Sequence, residues 1–393
     1  MRFPWFKEEW KNKKFGEVAE FKVTNSFSRE NLNYENGSVK NIHYGDIHTK
    51  FQTLFDITKE TVPYINEEIS INKISDDFYC KPGDLIFADA SEDLNDIGKC
   101  IEILKIENQK LLSGLHTLLS RPKPNLFYSG FAGYLFLSKT IRTQIQREAQ
   151  GAKVLGISVG RISKVELTFP TLGEQKKISS LLSIIDKRIQ TQNKIIDQLK
   201  TLIKALKEKL FTQQLGFKKN DGDSFPTWNM KKLGEIATKK SSNISANSLV
   251  GADGVYKIYG ATGLLKFVNF YNEKEEYISI VKDGAGVGRL FLCDPQTSVL
   301  GTLDIIRNNG SSNLKFLYYL LSTIDFSKYI TGSTIPHIYY KDYSNQTFEL
   351  PCLKEQAKIA DALYAIDEKI KKEKKIHDLY EKQKAFLLSN LFI

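Results

Sequence analysis

The chain has 393 residues, 41% hydrophobic and 11% aromatic, which is too long for one compact unit and ample for buried cores without low-complexity disorder. Its formal charge of +10 favours polyanionic partners, or else marks well-solvated helix surfaces. No apolar run approaches the roughly eighteen residues that a membrane-spanning helix needs, residues 1–10 lack a signal-peptide core, and four scattered cysteines, Cys80, Cys100, Cys293 and Cys352, offer neither a zinc site nor a disulfide framework. A reducing cytoplasm is the expected location.

In chain order, residues 1–168 read as a first globular domain. Asp84 to Ala88 has the composition of a strand, and Phe131 to Ile145 that of a helix. Residues 169–216 follow as a long helix, spanning Glu174 to Thr212. Leu182, Ile189, Ile196, Ile203 and Leu210 recur every seven, with Ile178, Ile185, Leu199 and Leu206 interleaved at three and four. Residues 217–349 read as a second globular domain, with a strand at Tyr277–Val281 and a helix at Leu314–Leu321. Residues 350–393 form a second long helix, whose stripe is Ile359, Leu363, Ile366, Ile370, Ile376, Tyr380, Leu387 and Leu391.

Neither helix can hide its stripe alone. The expected solution is an antiparallel coiled coil in which Leu182, Ile185, Ile189, Ile196 and Ile203 meet Leu363, Ile366 and Ile370. Gln192 and Glu373 hold the same seam position, as a register-fixing polar layer or as a loosened stretch of seam. The basic surplus sits mostly here: residues 169–216 carry 9 basic and 4 acidic groups, and residues 350–393 carry 9 and 7, against 23 and 22 in residues 1–168 and 15 and 13 in residues 217–349.

The two halves are a duplication. At a constant shift of 181, Pro170 falls on Pro351, Glu174-Gln175 on Glu355-Gln356, Ile185-Asp186 on Ile366-Asp367, and Leu210-Phe211 on Leu391-Phe392. Helical periodicity would match apolar positions but not a shared Pro-x-Leu-x-Glu-Gln opening. The same shift carries Gly151-Ala-Lys-Val154 onto Gly332-Ser-Thr-Ile335. More loosely, Tyr44-Gly45 answers Tyr259-Gly260, and Tyr134 to Ser138 answers Tyr318 to Ser322. The expected fold is therefore α+β, two tandem globular domains separated by two long helices and related by a pseudo-two-fold duplication.

Catalytic motifs are sparse. The loop Lys282 to Arg289 is glycine-rich but lacks GxxxxGK[ST] spacing, and strand and turn rather than helix follow it, so it reads as a tight turn near a phosphate backbone rather than a nucleotide site. His43, His48, His116 and His337 show no metal-ligand spacing. Asp294-Pro295-Gln296 fails the pattern of an adenine methyl-transfer loop, and no GxSxG or HExxH occurs. The candidate nucleic-acid contacts are Tyr44, His48, Lys50, Arg121, Lys153 and Arg161 in the first half. In the second they are Thr262, Lys266, Lys282, Arg289, Ser333, Thr334, His337 and Lys341, of types that bind phosphates and base edges.

The repeated Pro-x-Leu-x-Glu-Gln-x-x-Ile at 170–178 and 351–359, with Ile42-His-Tyr-Gly-Asp-Ile47, Gly83 to Ala90 and Gly332-Ser-Thr-Ile-Pro336, resembles the specificity subunit of type I restriction–modification systems over essentially the whole chain. The resemblance implies two target recognition domains, each reading half of a split double-stranded DNA sequence, and paired helices that set the spacing and dock two methylation subunits. It also implies motor–nuclease restriction subunits, with S-adenosylmethionine, ATP and Mg held by those partners and no catalysis by this chain. A coiled-coil scaffold with two protein-binding heads and an autonomous DNA-modifying enzyme are the competing readings.

Overall fold

In the computed structural model, which describes residues 2–392, the two heptad-patterned segments form continuous helices, Leu172–Phe211 and Leu353–Asn390. The chain divides into two compact units that cut each of these helices in two: unit 1 is residues 1–193 with 376–393, and unit 2 is residues 194–375. Each unit therefore holds a globular body, part of the first long helix and part of the second.

The Glu-Gln pair of the repeat fastens each helix to its body. The Gln175 side-chain amide donates to the Pro170 carbonyl (2.9 Å) and accepts from the Tyr128 amide (2.8 Å). Gln356 does the same with the Pro351 carbonyl and the Asn313 amide, at 2.8 Å each. Glu174 and Glu355 are buried but differ in partner, the first pairing with Arg2 at 2.8 Å and the second accepting from the Trp228 indole at 3.1 Å. A buried carboxylate needs such a donor.

Within unit 1 the helix segments run antiparallel, since Asp186 meets Lys384 (2.6 Å) while Arg188, further along, lies over Tyr380. Leu182, Ile185 and Ile189 are buried in one core with Leu387, Leu391 and Phe392. Within unit 2, Leu210 shares a core with Ile359, Ala360 and Leu363, and Ile203 packs at its edge. Ile196 and Ile370 are also buried, and Ile366 is half-buried.

The second stripe needs one correction: Ile376 faces outward at 37% exposure. Steps of three and four from Ile370 lead through Glu373, His377, Tyr380 and Lys384 to Leu387 and Leu391, so the seam passes through polar residues and turns Ile376 away. Gln192 and Glu373 are both buried, and Lys369 pairs with Glu373.

Each body has its own central sheet, built on the same strand order. In unit 1 its strands are β1 (Ala19–Lys22), β2 (Leu54–Asp56), β3 (Leu85–Ala88), β5 (Cys100–Lys105) and β6 (Thr117–Pro122), in the spatial order β1–β6–β3–β5–β2. Short β4 (Ala90–Ser91) continues from β3 and pairs with β7 (Leu155–Gly156). In unit 2, β8 (Ala237–Ser241), β11 (Tyr277–Val281), β12 (Leu290–Cys293) and β13 (Leu303–Asn308) take the order β8–β13–β11–β12, which is the unit 1 order without its last strand. A separate hairpin joins β9 (Asp253–Gly260) to β10 (Gly263–Val268). The central strands β3 and β11 are buried at every residue, which explains their apolar composition, interrupted in β11 by Ser279, which lies 3.2 Å from Cys293 Sγ.

The expected helix over Phe131–Ile145 is two helices, Phe131–Leu137 and Lys139–Glu148. Ser138 is extended and its hydroxyl caps the second, accepting from Ile141, so the chain turns there. The loose match of Tyr134 to Tyr318 also moves by one. Tyr134 donates to Asp186 and Tyr319 to Asp367, each at 2.6 Å, making Tyr319 the true counterpart. The phenylalanines that close the two repeats obey the same rule: Phe392, just beyond its helix, packs on Phe131 in unit 1, and Phe211 on Phe316 in unit 2.

Candidate nucleic-acid interface

In each body three segments meet at one rim of the sheet, held by the same backbone hydrogen bonds. In unit 2, the Lys282 amide donates to the Thr302 carbonyl (2.9 Å) and the Lys282 carbonyl accepts from Ile338 (3.0 Å). In unit 1, the Asp89 amide donates to His116 (3.0 Å) and the Asp89 carbonyl accepts from Ile157 (2.9 Å). Asp89 and Lys282 are thus the same backbone position. Beside them, residues 150–156 and 331–337 close into matching loops through Gln150–Gly156 and Thr331–His337 pairs.

Glycine is required inside both loops. Gly151 and Gly332 have φ of +128° and +85°, and an added Cβ would fall 2.0 Å from the Val154 carbonyl oxygen and 2.6 Å from that of Ile335. These contacts explain the repeated glycine at a shift of 181. The tips that follow differ in chemistry: Ala152, Lys153 and Val154 in unit 1, and Ser333, Thr334 and Ile335 in unit 2, with Val154 51% and Ile335 64% exposed.

Unit 2 gathers most of its sequence candidates. The loop Lys282–Arg289 binds the 331–338 segment through the Gly284 amide and the Pro336 carbonyl (2.8 Å). It binds the β9–β10 turn through Arg289, which donates to the Ala261 carbonyl (2.8 Å). Thr262, Arg289, Ser333, Thr334 and Lys341 are exposed around this junction. Lys282 lies 3.5 Å from Asp304, and the half-buried His337 ring stands edge-on to Tyr339. Lys341 lies over the Tyr339 ring and is the second residue of the single-turn helix Tyr340–Tyr343. Lys266 is engaged instead, with Asp253 and the Leu249 carbonyl at 2.9 Å each.

In unit 1 the short helix α1 (Tyr44–Thr49) supplies the rim. His43 caps it, accepting from the Gly45 amide (3.2 Å), and burial followed by the nearby Arg29 guanidinium lowers the His43 pKa to about 4. His48 binds the Ala90 carbonyl at 3.0 Å, so its Nε2 must be the donor, and its buried Nδ1 has no partner among the described residues. The Tyr44 ring touches His43, His48 and His116. Lys50 reaches Asp46 (3.0 Å) and the Tyr34 hydroxyl (2.8 Å). Lys153 is exposed at the loop tip.

Two candidates of unit 1 lie outside this junction. Arg121, at the far end of β6, spends its guanidinium on Asp84 (2.8 and 2.9 Å), Asp77 (2.8 Å) and the Tyr79 carbonyl (2.9 Å). That network holds unit 1 together and leaves no fork of donors for a phosphate. Arg161 donates to the Glu148 carbonyl at 3.0 Å and so ties two helices. Sequence reasoning had no way to see these acceptors, which lie 13 to 44 residues away. It also passed over Asp89, Tyr339 and Ile335; the equivalence of Asp89 and Lys282 rests on backbone bonds to segments distant in sequence. Among the described residues, no cluster of His, Cys, Asp or Glu could hold a metal ion, and no helix is long and apolar enough to cross a membrane.

The model of the type I restriction–modification DNA specificity domain matches residues 7–201 and 226–379. Over 336 residues the chain is 29% identical to a putative type I restriction enzyme specificity subunit, MjaX, of Methanocaldococcus jannaschii, covering 79% of this chain and 77% of that one. It is 26% identical over 295 residues to the MjaVIII specificity subunit of the same organism, covering 66% and 68%. Among solved structures, the S subunit of a type I restriction–modification system from M. genitalium superposes with a TM-score of 0.66 at 16% identity, over 100% of this chain and 99% of that one. A chain from a study of type I complex assembly and conformational transition gives 0.53 at 14%, over 97% of each.

Proposed function

Because the chain belongs to the type I restriction–modification DNA specificity family, we propose that it reads a bipartite DNA target, unit 1 binding one half-site and unit 2 the other. One observation carries this reading: identical backbone bonds hold the Asp89 and Lys282 rims, while the side chains they present differ. A conserved frame with exchanged side chains suits two readers of one polymer that bears two different sequences. The exposed Thr262, Arg289, Ser333, Thr334 and Lys341 supply donors for phosphates and base edges. The near-even charge of the bodies supports a share of the phosphate binding by partner subunits.

On this reading the long helices set the distance between half-sites and dock two methylation subunits, which motor–nuclease restriction subunits join. Methyl transfer, ATP use and cleavage, with S-adenosylmethionine, ATP and Mg, belong to those partners. The test is co-expression with the cognate methylation subunit and genome-wide mapping of methylated adenine. Exchange of residues 1–168 for those of a relative should change one side of a split motif and leave the other intact. Absence of any sequence-dependent binding with the partner present would leave a protein-binding scaffold as the better description, and methyl transfer by the chain alone would make it an enzyme.

A further inference from the structure

Asp89 is chemically out of place in unit 1. The buried aspartates there have compensating partners, Asp46 in Arg29 and Lys50 and Asp84 in Arg121, and the half-buried Asp186 has Lys384. The Asp89 side chain is 26% exposed, and the one hydrogen bond its carboxylate makes among the described residues is to His116 Nδ1, at 3.2 Å. No lysine or arginine stands within ion-pair distance of it among those residues.

Its surroundings are costly to build. His116 has φ of +53°, a left-handed conformation uncommon outside glycine, and its half-exposed ring is braced edge-on by Tyr44. Both groups lie where the rim is open, and Asp89 shares its backbone position with Lys282 of unit 2. A carboxylate there repels phosphates, as do the exposed Glu92 and Asp93 just beyond β4. The part of DNA that can satisfy an acceptor is a base amino group, since aspartate accepts from exocyclic amines in the major groove.

We propose that Asp89 is a specificity-determining residue that accepts a hydrogen bond from the exocyclic amino group of a base, cytosine N4 or adenine N6, in the half-site bound by unit 1. His116 positions the carboxylate. Unit 2 has no carboxylate at that backbone position; Lys282 stands there, with its ammonium 3.5 Å from Asp304. The inference rests on the reading that both units bind DNA.

The full chain, co-expressed with its methylation subunit, is compared as wild type, Asp89→Asn, Asp89→Ala and a chimera with residues 1–168 exchanged. Methylated sites are mapped and melting temperatures recorded. In Asp89→Asn, whose amide both donates and accepts, the preference for adenine or cytosine at one position of the unit 1 half-site should fall about tenfold, with the other half-site unchanged. Wild-type complex should lose a similar factor on duplexes in which the amino group at that position is removed, and Asp89→Ala should be indifferent to its removal. Adenine and cytosine are told apart by which deletion matters.

An unchanged motif in both Asp89 variants, beside a chimera that does change it, overturns this inference and leaves the function standing. So does a lowered melting temperature with the motif intact, which would make Asp89 structural. A chimera with both half-sites unchanged overturns the two-reader function and this inference together.

Discussion

Arg121 spends its donors inside unit 1 on Asp84, Asp77 and Tyr79, whereas Arg289 stands exposed with one bond to a turn carbonyl. Charge alone made them equal candidates; their partners separate them. Replacing Arg289 with Ala should weaken DNA binding about equally across sequences and reduce the salt slope by roughly one, measured by titration at several salt concentrations. Glu102 is a second residue that sequence does not mark. It is buried, accepts from the Gly130 amide (2.5 Å) and the Gly133 amide (2.7 Å), and burial raises its pKa from 4.5 to about 7. Between these values the unfolded chain is ionised there while the native state keeps its proton, so the contribution of Glu102 is complete below pH 4.5 and is lost as pH rises to 7. The loss is roughly 3 kcal/mol. Glu102→Gln should remove this slope when denaturation is followed from pH 4.5 to 8. His43 acts in the opposite sense, since its lowered pKa gives stability above pH 6.5 that disappears as pH falls towards 4.

The elements were legible where one physical rule governed many residues. Heptad spacing located both long helices, and strand composition located β3 and β11. The misses came where a single local bond outweighed the pattern. Ser138 splits the 131–148 segment by capping, and the polar run Glu373, His377, Lys384 keeps the seam that Ile376 looked apt to fill. This gives a paired test by denaturation. Ile376→Gln should change stability by less than about 0.5 kcal/mol, as for a surface site, while Leu363→Ala should cost about 2–5 kcal/mol through the cavity it opens in the core of unit 2. Equal effects would restore Ile376 to the seam.

At the scale of the molecule, the first long helix passes from unit 1 into unit 2 without a break, and the second passes back. If the helices set the spacing of the half-sites, one heptad added within 185–206 and a matching one within 366–387 lengthens them by about 10 Å, or about three base pairs. Mapped methylation should then show a gap longer by about three, with both half-sites kept. Altered half-sites would contradict the role of the helices as a spacer.

The sequence by itself determined the duplication, the two long helices, the α+β bodies and the family, because repeats and heptads are one-dimensional patterns that any fold must obey. Tertiary structure alone decided which side chains remain free at the rims. Whether an arginine is a contact or a brace, and whether Asp89 answers Lys282, depends on acceptors and backbone bonds supplied from distant parts of the chain. Spacing along the sequence carries no record of them.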